Sequence, residues 1–410
     1  MQDMSPTGPL LAQRSSRMTA SEIRELLKLL DRPGLISFAG GIPNPALFDM
    51  EAFEQAYASA LGQSKGGRAA LQYSTSEGYL PLRRWIADHM AAKDVRCEPD
   101  NILITCGSQQ GLDFIGKLLL DPGDTVVTAA PTYLGALQAF NAYEPRYDTL
   151  GGNGTASLLR TSAEAHGSRV KLIYLVPDFA NPSGATLDLA SRERALAIAG
   201  ELGCLIVEDA AYTALRYDGE DLPPIAALDQ ARCGSIEESR TLYCGTFSKT
   251  LSPGLRVGWV CGPKHLLHRL TLAKQAADLH SATINQIAMH GVALARYDDQ
   301  VAAARACYRE RRDAMLASLE RHAPDGMEWT KPEGGLFVWV TLPEGIDGRR
   351  LLERAVDEQN VAFVPGQAFF PDRSGANTLR LSFSLPDPQT IEEGIARLCK
   401  VIRPELPARY

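Results

Sequence analysis

Nowhere in the sequence do about 18 apolar residues run together, so no membrane-spanning helix is expected. The opening segment, MQDMSPTGPLLAQRSSRM, lacks the apolar stretch of a secretory signal. Basic residues are not in excess either. The 42 Lys and Arg against 49 Asp and Glu leave a formal charge of −7, which argues against a general nucleic-acid binder. The 8 cysteines form no Cys-x-x-Cys pair, so they read as reduced, mostly interior residues of a cytoplasmic protein rather than a disulfide framework. Zinc-ligand spacing is missing too: His265 and His268 could share a helix face, but no third ligand stands near them. There is no internal repeat and no low-complexity segment. What remains is an ordinary globular composition in 410 residues, a chain too long for one core.

The first periodic signal is TASEIRELLKLLDRPG at 19–34. Thr19 with Glu22 makes a capping-box pattern, and Pro33-Gly34 stops the helix it would begin. Ile23, Leu26, Leu27 and Leu30 form an apolar stripe, while Ser21, Arg24 and Lys28 share another face. From about residue 100, short apolar runs alternate with helical segments: NILITCG, DTVVTAAP, VKLIYLVPD, GCLIVEDA, RTLYCGTF and LRVGWVCG. Such alternation predicts an α/β domain whose mostly parallel sheet is covered on both faces. Beyond residue 262 the chain is strongly helical, and GLFVWVTL, VAFVPG and TLRLSFS then mark a smaller α+β unit.

In an open α/β sheet, ligands sit at the C-terminal ends of the strands. Reading those ends in order gives Ser108 and Gln109 opening a helix, then Tyr133 on a loop, then Asn181 in NPSG. Next come Glu208-Asp209 with Tyr212, and last Thr246, Ser248, Lys249 and Arg256 in GTFSKTLSPGLRVGW. Each has an ordinary reading: a helix cap, a packing aromatic, a turn, a solvated lysine. Taken together they meet the needs of one cofactor, pyridoxal 5′-phosphate. Its aldehyde forms a Schiff base with a lysine amine, and its ring nitrogen needs a carboxylate. Its ring needs an aromatic face, and its phosphate needs hydroxyls, helix N–H groups and an arginine fork. A phosphate between Lys249 and Arg256 would also explain why two like charges stand so close. Arg380 interrupts an apolar strand in TLRLSFS, where the ordinary alternative is a solvated edge arginine.

On the GTFSKTLSPGLRVG, NPSG and EDAAY segments, the chain resembles the fold-type I, class I/II pyridoxal-phosphate aminotransferases from about residue 18 onward. ISFAGGIPNP, LQYSTSEGYLPLR, ITCGSQQGLDFIGK and TLRLSFS are similar to the 2-aminoadipate and kynurenine aminotransferase subgroup. The resemblance implies a large domain with a mostly parallel seven-stranded sheet between helices, plus a smaller α+β domain. The division expected is an N-terminal arm over 1–45, a cofactor-binding domain over 46–295 and a small domain over 296–410. Lys249 would hold the cofactor and shuttle the proton, Asp209 would pair with the pyridinium, and Tyr133 would stack on the ring. Asn181 and Tyr212 would bond the 3′ oxygen; Ser108, Gln109, Thr246, Ser248 and Arg256 would surround the phosphate. Tyr73 would reach into the neighbouring subunit's site, which implies a homodimer with shared active sites. Arg380 would take the substrate α-carboxylate, with Gly40 and Asn181 beside it. The first helix would cover the site, with Ser21 and Arg24 facing the substrate side chain.

The activity implied is transfer of an amino group from 2-aminoadipate, or another medium-to-large L-amino acid, to 2-oxoglutarate. Two alternatives carry the same cofactor residues: a broad aromatic or branched-chain aminotransferase, and a lyase or decarboxylase. A regulator with an aminotransferase-like domain would need a DNA-binding unit, and fewer than twenty residues precede the resemblance.

Overall fold

The computed structural model describes residues 10–18, 32–62, 67–151 and 154–405. The helix expected over 19–34 lies mostly outside them, and with it Ser21 and Arg24.

After β1 (Ile36–Ser37), seven strands build one sheet: β2 (Ile102–Thr105), β3 (Thr125–Thr128), β4 (Arg146–Thr149), β5 (Val170–Leu175), β6 (Leu205–Asp209), β7 (Thr241–Thr246) and β8 (Gly258–Cys261). Their spatial order is β2-β8-β7-β6-β5-β3-β4. The strands are parallel except β8, which pairs antiparallel with β2 and β7. Strands covered by helices on both faces must be apolar throughout, and β2, β7 and β8 are buried at every position. β4 is the exception. Its residues RYDT are exposed or half-buried, as suits an edge, and their polarity explains why no apolar run announced it.

Helices α1 (Met50–Leu61), α2 (Leu80–Ala91), α3 (Ser108–Leu119), α4 (Leu134–Asn141), α5 (Ala156–Glu164), α6 (Leu189–Leu202), α7 (Ile225–Cys233) and α8 (Lys264–Ala277) flank the sheet. Three apolar clusters bind them to it. One centres on Leu82, Ile104 and Trp259, another on Leu112, Phe140 and Leu172, a third on Val127, Leu196 and Ile206.

Helix α9 (Thr283–His322) then runs unbroken for 40 residues, and the boundary expected at 295/296 falls inside it. Its C-terminal half packs into the smaller unit. There β9 (Glu328–Trp329), β10 (Phe337–Thr341), β12 (Val364–Pro365) and β13 (Thr378–Ser382) form an antiparallel sheet in the order β12-β13-β10-β9. Helices α10 (Gly348–Gln359) and α11 (Pro388–Ile402) close a core around Phe38, Tyr308, Leu381 and Ile395. The N-terminal strand β1 joins this unit by pairing in parallel with β11 (Val361–Ala362). Residues 38–42 therefore run from the small unit into the space above the large sheet. No helix among the described residues is long and apolar enough to cross a membrane.

Candidate active site

A cavity of about 750 Å³ opens where β5, β6 and β7 end. Ser108, Gln109, Tyr133, Asn181, Asp209, Tyr212, Thr246, Ser248, Lys249, Arg256 and Arg380 all line it. Each arrives by its own local logic.

Glu208 and Asp209 show how a strand sorts neighbours. Successive side chains point to opposite faces, so two adjacent carboxylates take different tasks. Glu208 accepts from Ile225 N–H at 2.9 Å and Ala226 N–H at 2.8 Å, capping α7. Asp209 faces the cavity, where Tyr174 Oη donates to its Oδ2 at 2.7 Å. The other oxygen, Oδ1, is buried and bonded to nothing. Burial raises the Asp209 pKa to about 6, while the Tyr174 bond and the charge of Lys249 pull it back.

Lys249 stands in the turn after β7. Its Nζ donates to Gly41 O at 2.9 Å and lies 5.8 Å from the centre of the Tyr212 ring. Burial lowers its pKa to about 8; the charges of Arg380 and Arg256 add to the fall, and Asp209 opposes it. Near pH 7 a useful fraction of this amine is neutral.

The turn also builds a cradle for an anion. Thr246 Oγ1 donates to Ser248 Oγ at 2.9 Å, and Arg256 Nη1 donates to the same Ser248 oxygen at 3.3 Å. Gly107 has φ +73, and a Cβ there would stand 2.1 Å from Arg256 Nη2, so the guanidinium rests on a glycine turn. Helix α3 begins at Ser108, and its first two residues, Ser108 and Gln109, line the cavity, which brings the helix N-terminus to it. Gln109 Nε2 donates to Gly135 O at 2.6 Å, and Tyr133 Oη donates to Gln109 Oε1 at 3.4 Å. The Tyr133 ring folds back over α4, where a Cβ on Gly135 would meet its Cζ at 2.4 Å.

Arg380 is no edge arginine. β13 lies between β12 and β10, and the side chain is 1% exposed. Nη1 donates to Asn181 Oδ1 and Nη2 to Ala39 O, each at 2.7 Å. Phe337 and Phe369 cover the guanidinium at 4.3 and 5.1 Å. Among the described residues its Nε is buried without a partner, and both hydrogen-bond acceptors it has are neutral. Burial lowers its pKa to about 10, which still leaves it charged at neutral pH. A buried cation without a countercharge is costly and calls for an anionic ligand.

Two expected residues do not line this chain's own cavity, one of them, Tyr73, expected at the neighbouring subunit's. Tyr73 is 78% exposed, does not line this cavity, and meets His280 edge-on at 5.9 Å. Gly40 is buried but does not line the cavity; its neighbours supply the polar atoms, Ala39 O to Arg380 and Gly41 O to Lys249. Tyr174 went unnoticed in the sequence because it reads as one more strand residue in VKLIYL. Arg17, Met18, Ile42, Leu134 and Gln138 also belong to the wall, a mixture of charge, amide and hydrocarbon.

The family model described as aminotransferase class I and II matches residues 48–398. The aromatic-amino-acid aminotransferase 1 of Thermococcus litoralis is 44% identical over 96% of this chain and 94% of its own. A crystal structure of alpha-aminoadipate aminotransferase from Thermus thermophilus, complexed with N-(5′-phosphopyridoxyl)-L-leucine, is 41% identical with a TM-score of 0.86, covering 97% of this chain and 98% of that one. Another, of Pyrococcus horikoshii kynurenine aminotransferase, is 41% identical with a TM-score of 0.89, covering 98% and 99%.

Proposed function

The chain belongs to the class I and II aminotransferases, and from that premise we propose which residues run the reaction and which amino acids enter it. Its cofactor is pyridoxal 5′-phosphate, and its substrates are an amino acid and a 2-oxo acid. The single observation that carries the assignment of roles is that Lys249 Nζ, the unpartnered Asp209 Oδ1 and the uncompensated Arg380 face one cavity.

The residues fit the cofactor. Asp209 Oδ1 is a buried acceptor in need of a donor, which a protonated ring nitrogen provides. When bound, the cofactor supplies an aldehyde carbon to hold the amino group and a ring to delocalise the electrons left when Cα loses its proton. Asp209 would hold the ring nitrogen protonated, with Tyr174 fixing the carboxylate's second oxygen. Tyr133 would cover one ring face, and Asn181 and Tyr212 would bond the 3′ oxygen. Thr246, Ser248, Arg256 and the start of α3 would take the phosphate, with Gln109 between Tyr133 and Gly135.

Lys249 would be nucleophile and proton carrier. Its lowered pKa would leave free amine to capture the aldehyde, and later to lift the proton from the substrate's Cα and deliver it to the cofactor's C4′. Arg380 would receive the α-carboxylate as a fork, displacing nothing charged. Asn181, already bonded to it, would hold the fork in plane. Exchange of amino acid for oxo acid at one site makes the kinetics ping-pong.

For the donor, 2-aminoadipate or another medium-to-large amino acid suits the wall. Arg17 and Gln138 offer polar contacts, while Met18, Ile42 and Leu134 offer an apolar surface. 2-Oxoglutarate is the acceptor proposed. A broader aromatic range is the second reading, favoured by the likeness to the Thermococcus litoralis enzyme. Arg24, outside the described residues, would meet a distal carboxylate. The same proposal includes a homodimer in which Tyr73, exposed on one chain, completes the neighbour's phosphate site. It also includes the division into arm (1–45), large domain (46–295) and small domain (296–410).

Initial rates across a grid of donor and 2-oxoglutarate concentrations test this reading, with 2-aminoadipate, leucine and phenylalanine as donors. Parallel double-reciprocal lines with 2-aminoadipate among the best donors support it. Release of ammonia or CO₂ without a new amino acid would move the protein to the lyase alternative.

A further inference from the structure

Lys274, on the last turn of α8, is one of the most deeply buried cations in the molecule, and none of the chemistry above uses it. Its side chain is 0% exposed. Nζ donates to Asp278 Oδ1 and Oδ2, both at 2.9 Å, to Ser281 Oγ at 3.0 Å and to Gln110 Oε1 at 3.1 Å. The Lys274–Asp278 pair is neutral as a whole, so it adds little field to the cavity. Its effect must be mechanical.

Gln110 is where that effect leaves the pair. Its Nε2 donates to Asp278 Oδ2 at 2.8 Å, which closes a ring of three side chains. Its Oε1 accepts from Lys274 and also from Cys106 N–H at 2.8 Å. On the other side of Cys106, its carbonyl accepts from Arg256 Nη2 at 3.5 Å. Residue 106 is thus gripped from behind by this ring of side chains, anchored on the buried Lys274, and from the front by the cradle arginine. Two residues later α3 begins. The turn leaves no slack: Gly107 carries a positive φ, and a Cβ on Gly258 would stand 2.6 Å from Ser108 N.

We propose that Lys274 is a positioning residue for the phosphate cradle, acting through Gln110 to fix the Cys106 peptide and the α3 N–H groups behind it. The inference rests on the reading above that Ser108, Gln109, Ser248 and Arg256 receive the phosphate. Lys274 touches neither cofactor nor substrate. Replacing it by methionine keeps the length and the packing. It also takes the Lys274 donor away from Gln110 Oε1 and leaves Asp278, whose side chain is 29% exposed, free to hydrate and to release Gln110 Nε2. Gln110→Leu cuts the same link while leaving the Lys274–Asp278 pair intact, and it stands in if Lys274→Met does not fold.

The test compares two probes on apoprotein, pyridoxal 5′-phosphate and pyridoxal, which lacks the phosphate. Dissociation constants come from quenching of protein fluorescence, without turnover. In the wild type the phosphate form binds far more tightly. In Lys274→Met and in Gln110→Leu its affinity falls roughly tenfold, the size of one well-aligned hydrogen bond, while the affinity for pyridoxal stays within about twofold. The double variant is no worse than the weaker single one, because both cut one chain of contacts. Equal losses for both probes would make Lys274 a general structural residue and overturn the proposal, as would no loss for either. A wild type that binds both probes alike would overturn the cradle reading itself, and this inference with it.

Discussion

Replacing Asp209 by asparagine should make the cofactor-free protein more stable and the loaded protein useless. Burial lifts the Asp209 pKa from 3.8 to about 6. The unfolded chain therefore loses this proton before the folded chain does, so stability falls as pH rises from about 4 to 6 and stays reduced above that range. The shift corresponds to roughly 3 kcal/mol at pH 8 and about half that at pH 5. Asparagine removes the penalty and its oxygen can still accept from Tyr174 Oη, but its amide leaves a buried donor unpaired at a cost of roughly 1–2 kcal/mol. The net gain is about 1–2 kcal/mol at pH 8 and close to zero at pH 5. Thermal denaturation of apoprotein at the two pH values reads it. The variant should melt above the wild type at pH 8 and level with it at pH 5. With cofactor the order reverses, because an amide cannot hold the ring nitrogen protonated, and turnover should fall by orders of magnitude. A variant that melts lower at pH 8, or gains equally at both pH values, would refute the electrostatic reasoning.

Other consequences are as direct. Arg380→Lys keeps the charge but loses the fork, so kcat/KM for amino donors should fall about 10–100-fold with cofactor affinity unchanged; a parallel loss of cofactor binding would mean the small unit had shifted. Capture of pyridoxal by the apoprotein requires neutral Lys249. Its rate, followed by absorbance, should rise with pH and level off above about 8. A flat profile between pH 6 and 8 would contradict the lowered amine pKa. Arg24→Ala should reduce kcat/KM for glutamate and 2-aminoadipate about 10–100-fold and spare leucine. Equal effects on both classes would remove Arg24 from the substrate site.

The cavity was legible in the sequence because a parallel sheet turns sequence order into spatial coincidence. Residues at the ends of successive apolar runs had to meet, and Tyr133, Asn181, Asp209 and Lys249 do line one cavity. Six strands of the large sheet followed from the same alternation; the seventh, β4, did not, because RYDT carries no apolar signal. What stayed hidden depends on register or on backbone atoms. Tyr174 reaches Asp209 because Tyr174 pairs with Val207 across β5 and β6, and side chains two residues apart share a face. The carbonyls that hold Lys249 and Arg380 belong to Gly41 and Ala39, one residue either side of Gly40, and any residue can supply a carbonyl. Glu208 and Asp209, adjacent in sequence, take different tasks that only the strand's alternation separates: one caps α7 and the other lines the cavity. Lys274 reads as a surface lysine of an amphipathic helix until α3 and the 278–281 segment close over it.

One experiment bears on Lys249 most directly: mixing the yellow, cofactor-loaded protein with 2-aminoadipate in the absence of any oxo acid, while following its absorbance and the 2-oxo acid formed. The account predicts that the yellow band disappears, that one 2-oxo acid appears per active site, and that adding 2-oxoglutarate restores the colour. It also predicts that Lys249→Ala forms no product. Product beyond one per site without an acceptor, or an active Lys249→Ala variant, would contradict it.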